Sequence, residues 1–207
     1  MSASGRFLDV CRQAGVDVTS SRDVWHSLHV LYSEPHRHYH NLRHIESMLA
    51  RMDEVSPGDT TMELAIWFHD VIYDPRARDN EEQSAAFFVR TMAPHLDTLV
   101  CSDVVRLILA TDYTREPTGK KDEELLRDMD LAVLASDPEI YQAYAEAVRR
   151  EYSHVAEEDF RKGRKAVMER FLEGRIFQTG AFASDETRAR ENIRAEIARL
   201  TGTRENP

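Results

Sequence analysis

Apolar residues along the chain recur at intervals of three and four positions, the spacing of an α-helix. Near the N-terminus, Phe7, Val10 and Cys11 form such a stripe, and Gly15 follows it. Similar stripes continue along the chain, whereas the alternating pattern of a half-buried strand is nearly absent. Glycine and proline are few and fall between the stripes, where they mark turns. The pattern predicts an all-α protein of about ten helices.

Several stripes are preceded by polar residues that can cap a first helical turn: Ser20 or Ser21, Asn41 and Ser102. Thr60 and Glu63 have the spacing of a capping box before the segment LAIWFHDVIY. Because that segment is apolar nearly all round, we expect it to form a central, buried helix.

Composition narrows the class of protein. The 207 residues show no internal repeat and no linker, so we expect one domain over residues 1–207. A formal net charge of −10 argues against general nucleic-acid binding, because an acidic surface repels phosphate backbones. The two cysteines, Cys11 and Cys101, cannot form a disulfide framework, which favours a reducing cytoplasm. No apolar stretch approaches membrane-spanning length, so no membrane contact is expected.

The dipeptide His69-Asp70 is unusual because it lies within the apolar run AIWFHDVIY. Two ionisable groups in a core are costly unless they pair with each other or bind a metal. The run by itself leaves both possibilities open. Adjacent residues of a helix diverge by about 100°, so a shared ion requires further ligands from other helices.

Further ligands are present elsewhere in the chain. His44 ends the histidine-rich run PHRHYHNLRH, although any single histidine of that run is more typical of a polar surface. Asp128 and Asp130 lie in the apolar context LLRDMDLAVLA. Imidazoles and carboxylates together suit one divalent cation such as manganese, iron, cobalt, nickel or zinc, with magnesium also possible. Such a cation would activate water and polarise a phosphoryl oxygen.

Longer strings in the chain resemble the HD superfamily, and in particular its predicted metal-dependent phosphohydrolases. They are RHYHNLRHI at 37–45, IWFHDVIYD at 66–74, DNEEQSA at 79–85, DMDLAVLA at 128–135, VRREY at 148–152 and FRKGR at 160–164. The similarity extends over about residues 25–177. It implies an all-helical HD core and metal ligation by His44, His69, Asp70 and Asp130, with Asp128 as a local cap or a partner of the ligands. It also implies hydrolysis of a small phosphate ester, with a nucleotide as the expected substrate.

Other side chains are candidates for contacts with substrate or for proton transfer. Arg37 and His40 precede the first ligand and could hold a phosphate, although a cap or surface role is an equal alternative. Arg149 is a further candidate for a contact with substrate. Together with Glu151 and Arg164 it could form a buried ion network that closes the pocket, although at least one of the three is expected to be surface charge. Glu81 could accept a proton from the attacking water beside Asp70, or it could simply favour a helix N-terminus.

One departure from the resemblance limits the number of metals. Relatives tend to carry a histidine shortly after the string that is LILAT here, whereas this chain has Tyr113 and Thr114. His95 is the one histidine between Asp70 and Asp130. We therefore expect a mononuclear site and a phosphohydrolase. The alternatives are a metal- or nucleotide-binding regulatory module with little turnover, and an oxidative enzyme with two irons, which the same absence disfavours.

Overall fold

The computed structural model describes residues 1–115 and 118–202, and it confirms the all-α prediction, since no strand occurs among those residues. Ten α-helices follow one another in this part of the chain: α1 (Ala3–Gln13), α2 (Val18–Tyr32), α3 (Leu42–Val55), α4 (Thr60–Phe68), α5 (Asn80–Met92), α6 (Thr98–Ala110), α7 (Lys121–Asp130), α8 (Pro138–Glu151), α9 (Glu157–Glu173) and α10 (Glu186–Thr201). Short 3-10 helices occupy Ala93–His95, Leu131–Ala135 and Gly180–Phe182. None of the described helices has both the length and the apolar character needed to cross a bilayer.

The chain forms two compact units, Met1–Leu126 and Arg127–Pro207, and the boundary between them falls inside α7. Each unit contains buried apolar side chains of its own, such as Phe68 in the first and Phe177 in the second. The single domain expected from the sequence stays a prediction.

Helix α4 is the centre of the first unit and packs against α1, α3, α5 and α6. Its residues 64–68 are all fully buried. The Trp67 ring makes T-shaped contacts with the rings of Phe7 and Trp25, with distances between ring centroids of 5.5 and 5.9 Å. Burial of each large apolar side chain stabilises the fold by about 1.5–3 kcal/mol. The prediction of a central, buried helix is thus confirmed for the part that ends at Phe68.

Three of the predicted helix caps are wrong, namely Ser20 or Ser21, Thr60 and Ser102. The helices begin earlier, after Asp17, Asp59 and Asp97, whose carboxylates accept hydrogen bonds from amides of the first turn. A carboxylate both accepts these bonds and interacts favourably with the positive end of the helix dipole. At each of these three helices an aspartate upstream is therefore the N-cap, in place of the serine or threonine that the pattern favoured.

The second correction concerns the segment LAIWFHDVIY, which is not one continuous helix. Helix α4 ends at Phe68, His69 is its C-cap, and a turn follows over residues 70–72. Tyr32 Oη donates to the carbonyl oxygen of Trp67 at 3.0 Å, in place of the next helical turn. Tertiary partners for the last carbonyls allow the helix to stop inside an apolar run.

In the second unit, α10 packs against α9 and the 3-10 segment Leu131–Ala135, which also contacts α8. Arg164 Nε donates to Glu196 Oε1 at 2.8 Å, and both side chains are largely buried, at 10% and 6% exposure. Tyr141 Oη donates to the same carboxylate. Arg164 is therefore part of a buried ion pair with Glu196 of α10, and the network expected with Arg149 and Glu151 stays a prediction.

Candidate metal centre

Helix α3 places His44 on its buried face. Asn41 caps the helix as predicted, and its side-chain oxygen accepts from the amide of Arg43 at 2.9 Å. The cap sets the helical phase, so that His44 shares a stripe with Ile45 and Met48, which are buried as well. The imidazole of His44 therefore enters the interior of the first unit in the first turn of α3.

His69 is oriented by the end of α4. Its Nδ1 atom lies 3.0 Å from the carbonyl oxygen of Ile66. A carbonyl oxygen only accepts hydrogen bonds, so Nδ1 carries the proton and Nε2 of the neutral ring keeps its lone pair. The hydrogen bond thus selects the tautomer that a metal ligand needs.

Three possible ligand atoms converge from His44, His69 and Asp70. His44 Nε2 lies 3.3 Å from His69 Nε2, His69 Nε2 lies 3.1 Å from Asp70 Oδ2, and His44 Nε2 lies 3.7 Å from Asp70 Oδ2. Bonds of about 2.1 Å to a transition metal place neighbouring ligand atoms about 3.0–3.4 Å apart. Two of the three distances fall in that range and the third is slightly longer, so the atoms fit one face of a coordination polyhedron.

The chemistry of these donors also fits a cation. When the His69 ring is protonated at both nitrogens, Nε2 donates to Asp70 Oδ2 at 3.1 Å, and when that proton leaves, Nε2 can offer its lone pair to a cation. That proton joins only His69 and Asp70, whereas a cation can accept lone pairs from His44, His69 and Asp70 together.

Asp70 has the protonation state that metal binding requires. Burial by itself would raise the pKa of Asp70, but the charge and hydrogen bond of His69, with smaller charge contributions from His40 and His44, hold this pKa well below its ordinary value. Asp70 is therefore a carboxylate at neutral pH, the form in which it can bind a metal.

Asp130, the fourth ligand that the resemblance implies, belongs to the second unit. Its side chain is half-buried. Asp130 is the last residue of α7. The choice of Asp130 over Asp128 as a metal ligand stays a prediction from the resemblance.

Asp128 anchors a distant segment of the chain, a contact that the sequence did not predict, and the role expected for it as a local cap or a partner of the ligands stays a prediction. Its fully buried carboxylate accepts from the amides of Gln178 and Thr179, both at 2.8 Å, and from Thr179 Oγ1 at 2.6 Å. The side chain therefore holds the segment after α9 against α7 within the second unit.

The two arginines predicted to hold substrate are engaged by the protein itself. The side chain of Arg37 is inaccessible, and its guanidinium donates to backbone carbonyls of Asp70 and Val71. Arg149 donates to the carbonyl oxygens of Tyr152 and Val155, at 2.6 and 3.0 Å. Both side chains bind main-chain groups, and the contact with substrate expected for each of them stays a prediction.

His40 keeps a position beside the site. Its ring stacks on Tyr73 with centroids 4.2 Å apart, and its charge lowers the pKa of Asp70. Its contact with substrate stays a prediction. Tyr73 was not predicted as part of the site. The one feature of the sequence that could have indicated it is an aromatic residue three positions after Asp70.

Glu81 lies half-buried in the first turn of α5. Burial raises the pKa of Glu81; its own backbone amide opposes this, and the charges of Asp70 and Asp112 raise the pKa further. Asp70 is therefore close enough for its charge to act on Glu81. A raised pKa makes this carboxylate a stronger proton acceptor than an exposed glutamate.

His95 and Thr114 are the two positions that bear on whether a second metal binds. His95 lies at the end of a short 3-10 helix, with Nδ1 3.9 Å from Asp17 Oδ2. Thr114 is exposed, and its hydroxyl donates to Asp112 Oδ1 at 2.6 Å. These placements agree with the expectation of one ion, which stays a prediction.

Comparison of the chain with protein-family models, with curated proteins and with solved structures found no match.

Proposed function

We propose that this protein is a metal-dependent phosphohydrolase of the HD type, acting on a small phosphate ester such as a nucleotide. One observation carries the proposal: His44 Nε2, His69 Nε2 and Asp70 Oδ2 converge at distances that suit the ligands of one cation. The motif strings around these residues, which resemble the HD superfamily, support the assignment of the reaction class. Asp130 is proposed as the fourth ligand.

The residues around the site would divide the chemistry among them. When bound, a divalent cation supplies Lewis acidity to a phosphoryl oxygen and lowers the pKa of a nearby water. Glu81 accepts the proton of the attacking water, since its raised pKa and its position near Asp70 suit a general base. Asp70 stays ionised throughout, because its low pKa prevents it from competing for that proton.

A second function is favoured by a specific observation on the arginines. The guanidinium groups of Arg37 and Arg149 donate to backbone carbonyls, which leaves fewer of their N–H groups for a phosphate. A module that binds a metal or a nucleotide and turns it over slowly needs fewer charge contacts than a fast phosphohydrolase. We therefore retain a regulatory HD module as the alternative. Both functions suit a reducing, cytoplasmic location, since Cys11 and Cys101 are free thiols.

A turnover screen separates the two functions. Purified protein is supplied with manganese, cobalt, nickel, zinc or magnesium and tested on aryl phosphate monoesters, aryl phosphodiesters and nucleotides. The phosphohydrolase proposal expects release of product that depends on the metal and is lost in His69→Ala. Metal binding without turnover on any substrate would favour the regulatory module instead. Product release unaffected by His69→Ala would indicate a contaminating enzyme and contradict the proposal.

A further inference from the structure

Arg37 is a buried cation with a well-defined set of hydrogen bonds. Its side chain has 0% exposure. Nε donates to Glu34 Oε2 at 3.0 Å, Nη1 to the carbonyl oxygens of His40 at 3.0 Å and Asp70 at 2.7 Å, and Nη2 to that of Val71 at 2.8 Å. Most of the guanidinium N–H groups therefore have acceptors within the first unit.

Two tyrosine rings hold the guanidinium in place. Its central carbon lies 5.1 Å from the ring centroid of Tyr32 and 5.6 Å from that of Tyr73. Contacts of this kind stabilise a cation, and more so where water is excluded. Because a guanidinium is planar and rigid, the rings and the hydrogen bonds together fix the directions in which Arg37 can donate.

The acceptors belong to the two segments that carry the metal-binding side chains. The carbonyl of His40 lies just before α3, whose first turn bears His44, and those of Asp70 and Val71 lie in the turn after α4. Carbonyls beyond a helix end lack helical donors and need partners from elsewhere. One side chain thus satisfies both segments and joins them.

We propose that Arg37 is a positioning residue of the metal centre, which sets the geometry of Asp70 relative to His44. Its bond to the Asp70 carbonyl fixes the backbone from which the Asp70 carboxylate extends toward His69, 3.1 Å away. This inference rests on the proposed metal site. Groups that orient metal ligands typically change metal affinity by about 10–100-fold when they are removed.

The test measures cobalt(II) binding to the full chain, without substrate. Wild-type protein, Arg37→Ala and Arg37→Lys are titrated by calorimetry, and the visible spectrum of bound cobalt reports the coordination geometry. We expect both variants to bind cobalt on the order of 10–100-fold more weakly and with an altered spectrum. Lysine does not replace arginine here, because a compact ammonium cannot reach three carbonyls in fixed directions.

A matched control separates positioning from general stability. Arg6 also anchors α1 in the first unit, with Nε 2.9 Å from Glu63 Oε1 and Nη1 2.7 Å from Asp53 Oδ2. Arg6→Ala should lower the melting temperature while leaving the cobalt spectrum unchanged. Methylguanidinium added to Arg37→Ala should restore part of the affinity and the wild-type spectrum, since it can occupy the vacated space.

Each outcome decides the proposal. Cobalt affinity and spectrum equal to wild type in both folded Arg37 variants would overturn it, as would an altered spectrum in Arg6→Ala of the same kind. If circular dichroism shows that neither Arg37 variant folds, Arg37 is required by the fold as a whole and the positioning role is rejected. A wild-type chain that binds no cobalt would instead remove the proposed function, and this inference with it.

Discussion

The Nε2 atoms of His44 and His69 lie 3.3 Å apart, although 25 positions separate the two residues in the sequence. His44 belongs to the first turn of α3 and His69 is the C-cap of α4, and these two helices pack against each other. The start of one helix thus meets the end of the other. Asp70 reaches the same point because the chain turns directly after α4.

We expect the purified chain to bind one divalent transition metal tightly. His69→Ala and Asp70→Ala should each abolish this binding, because each removes one of three converging donors. Elemental analysis after dialysis measures the content, and circular dichroism checks that the helices persist. His38→Ala is the control, because His38 lies in the same histidine-rich run but is exposed. Two tight ions per chain, or metal content unchanged in both variants, would contradict the site.

Glu81→Gln should lower turnover about a hundredfold or more while leaving metal binding intact, because glutamine cannot accept a proton. Steady-state kinetics on the best substrate of the screen measures the first effect and calorimetry the second. Glu82→Gln is a suitable control, since Glu82 is the exposed neighbour that pairs with Arg115. Equal turnover in wild type and Glu81→Gln would transfer the role of base to another group, with Asp74 the next to test.

Asp128→Ala should destabilise the protein by about 3 kcal/mol, because it removes the acceptor of three part-buried hydrogen bonds from Gln178 and Thr179. Urea unfolding followed by circular dichroism gives the free energy of unfolding. Thr179→Val removes the hydroxyl bond alone and should cost clearly less. A loss below about 1 kcal/mol in Asp128→Ala would mean that other groups or water satisfy these donors.

Glu186 makes stability depend on pH. Burial opposes the shift, but hydrogen bonds from the amides of Phe177 and Ile176, and from Arg190, lower the pKa of Glu186 below its ordinary value. A lowered folded-state pKa stabilises the protein above the ordinary carboxyl pKa, and this contribution is lost as the pH falls through the folded-state value.

Glu186→Gln should therefore be less stable than wild type at neutral pH, and the difference should shrink as the pH falls into the acidic range. Unfolding in urea at a series of pH values measures this. Glu191→Gln, at an exposed position of the same helix, should change stability little at any pH. A difference between wild type and Glu186→Gln that stays constant from neutral to acidic pH would refute the role of its charge.

Local pattern was sufficient for the helices and for part of the site. Apolar spacing predicted all-α structure, Asn41 was correctly assigned as the cap of α3, and Gly202 follows α10 with the positive φ of 72° that suits glycine. The resemblance of the motif strings predicts His44, His69 and Asp70 as ligands, and the structure brings these three side chains together. Helical period and capping depend on residues within a few positions, so the sequence alone contains this information.

The end of α4 and the role of Arg37 were decided by the tertiary structure. The apolar run predicted a helix through His69 and Asp70, yet α4 stops at Phe68 because distant groups satisfy the carbonyls that follow. Charge suggested a phosphate ligand at Arg37, but packing between two tyrosine rings turned its donors toward Asp70 and Val71. A buried donor bonds the acceptors that folding brings to it, and those acceptors lie more than thirty positions away along the chain.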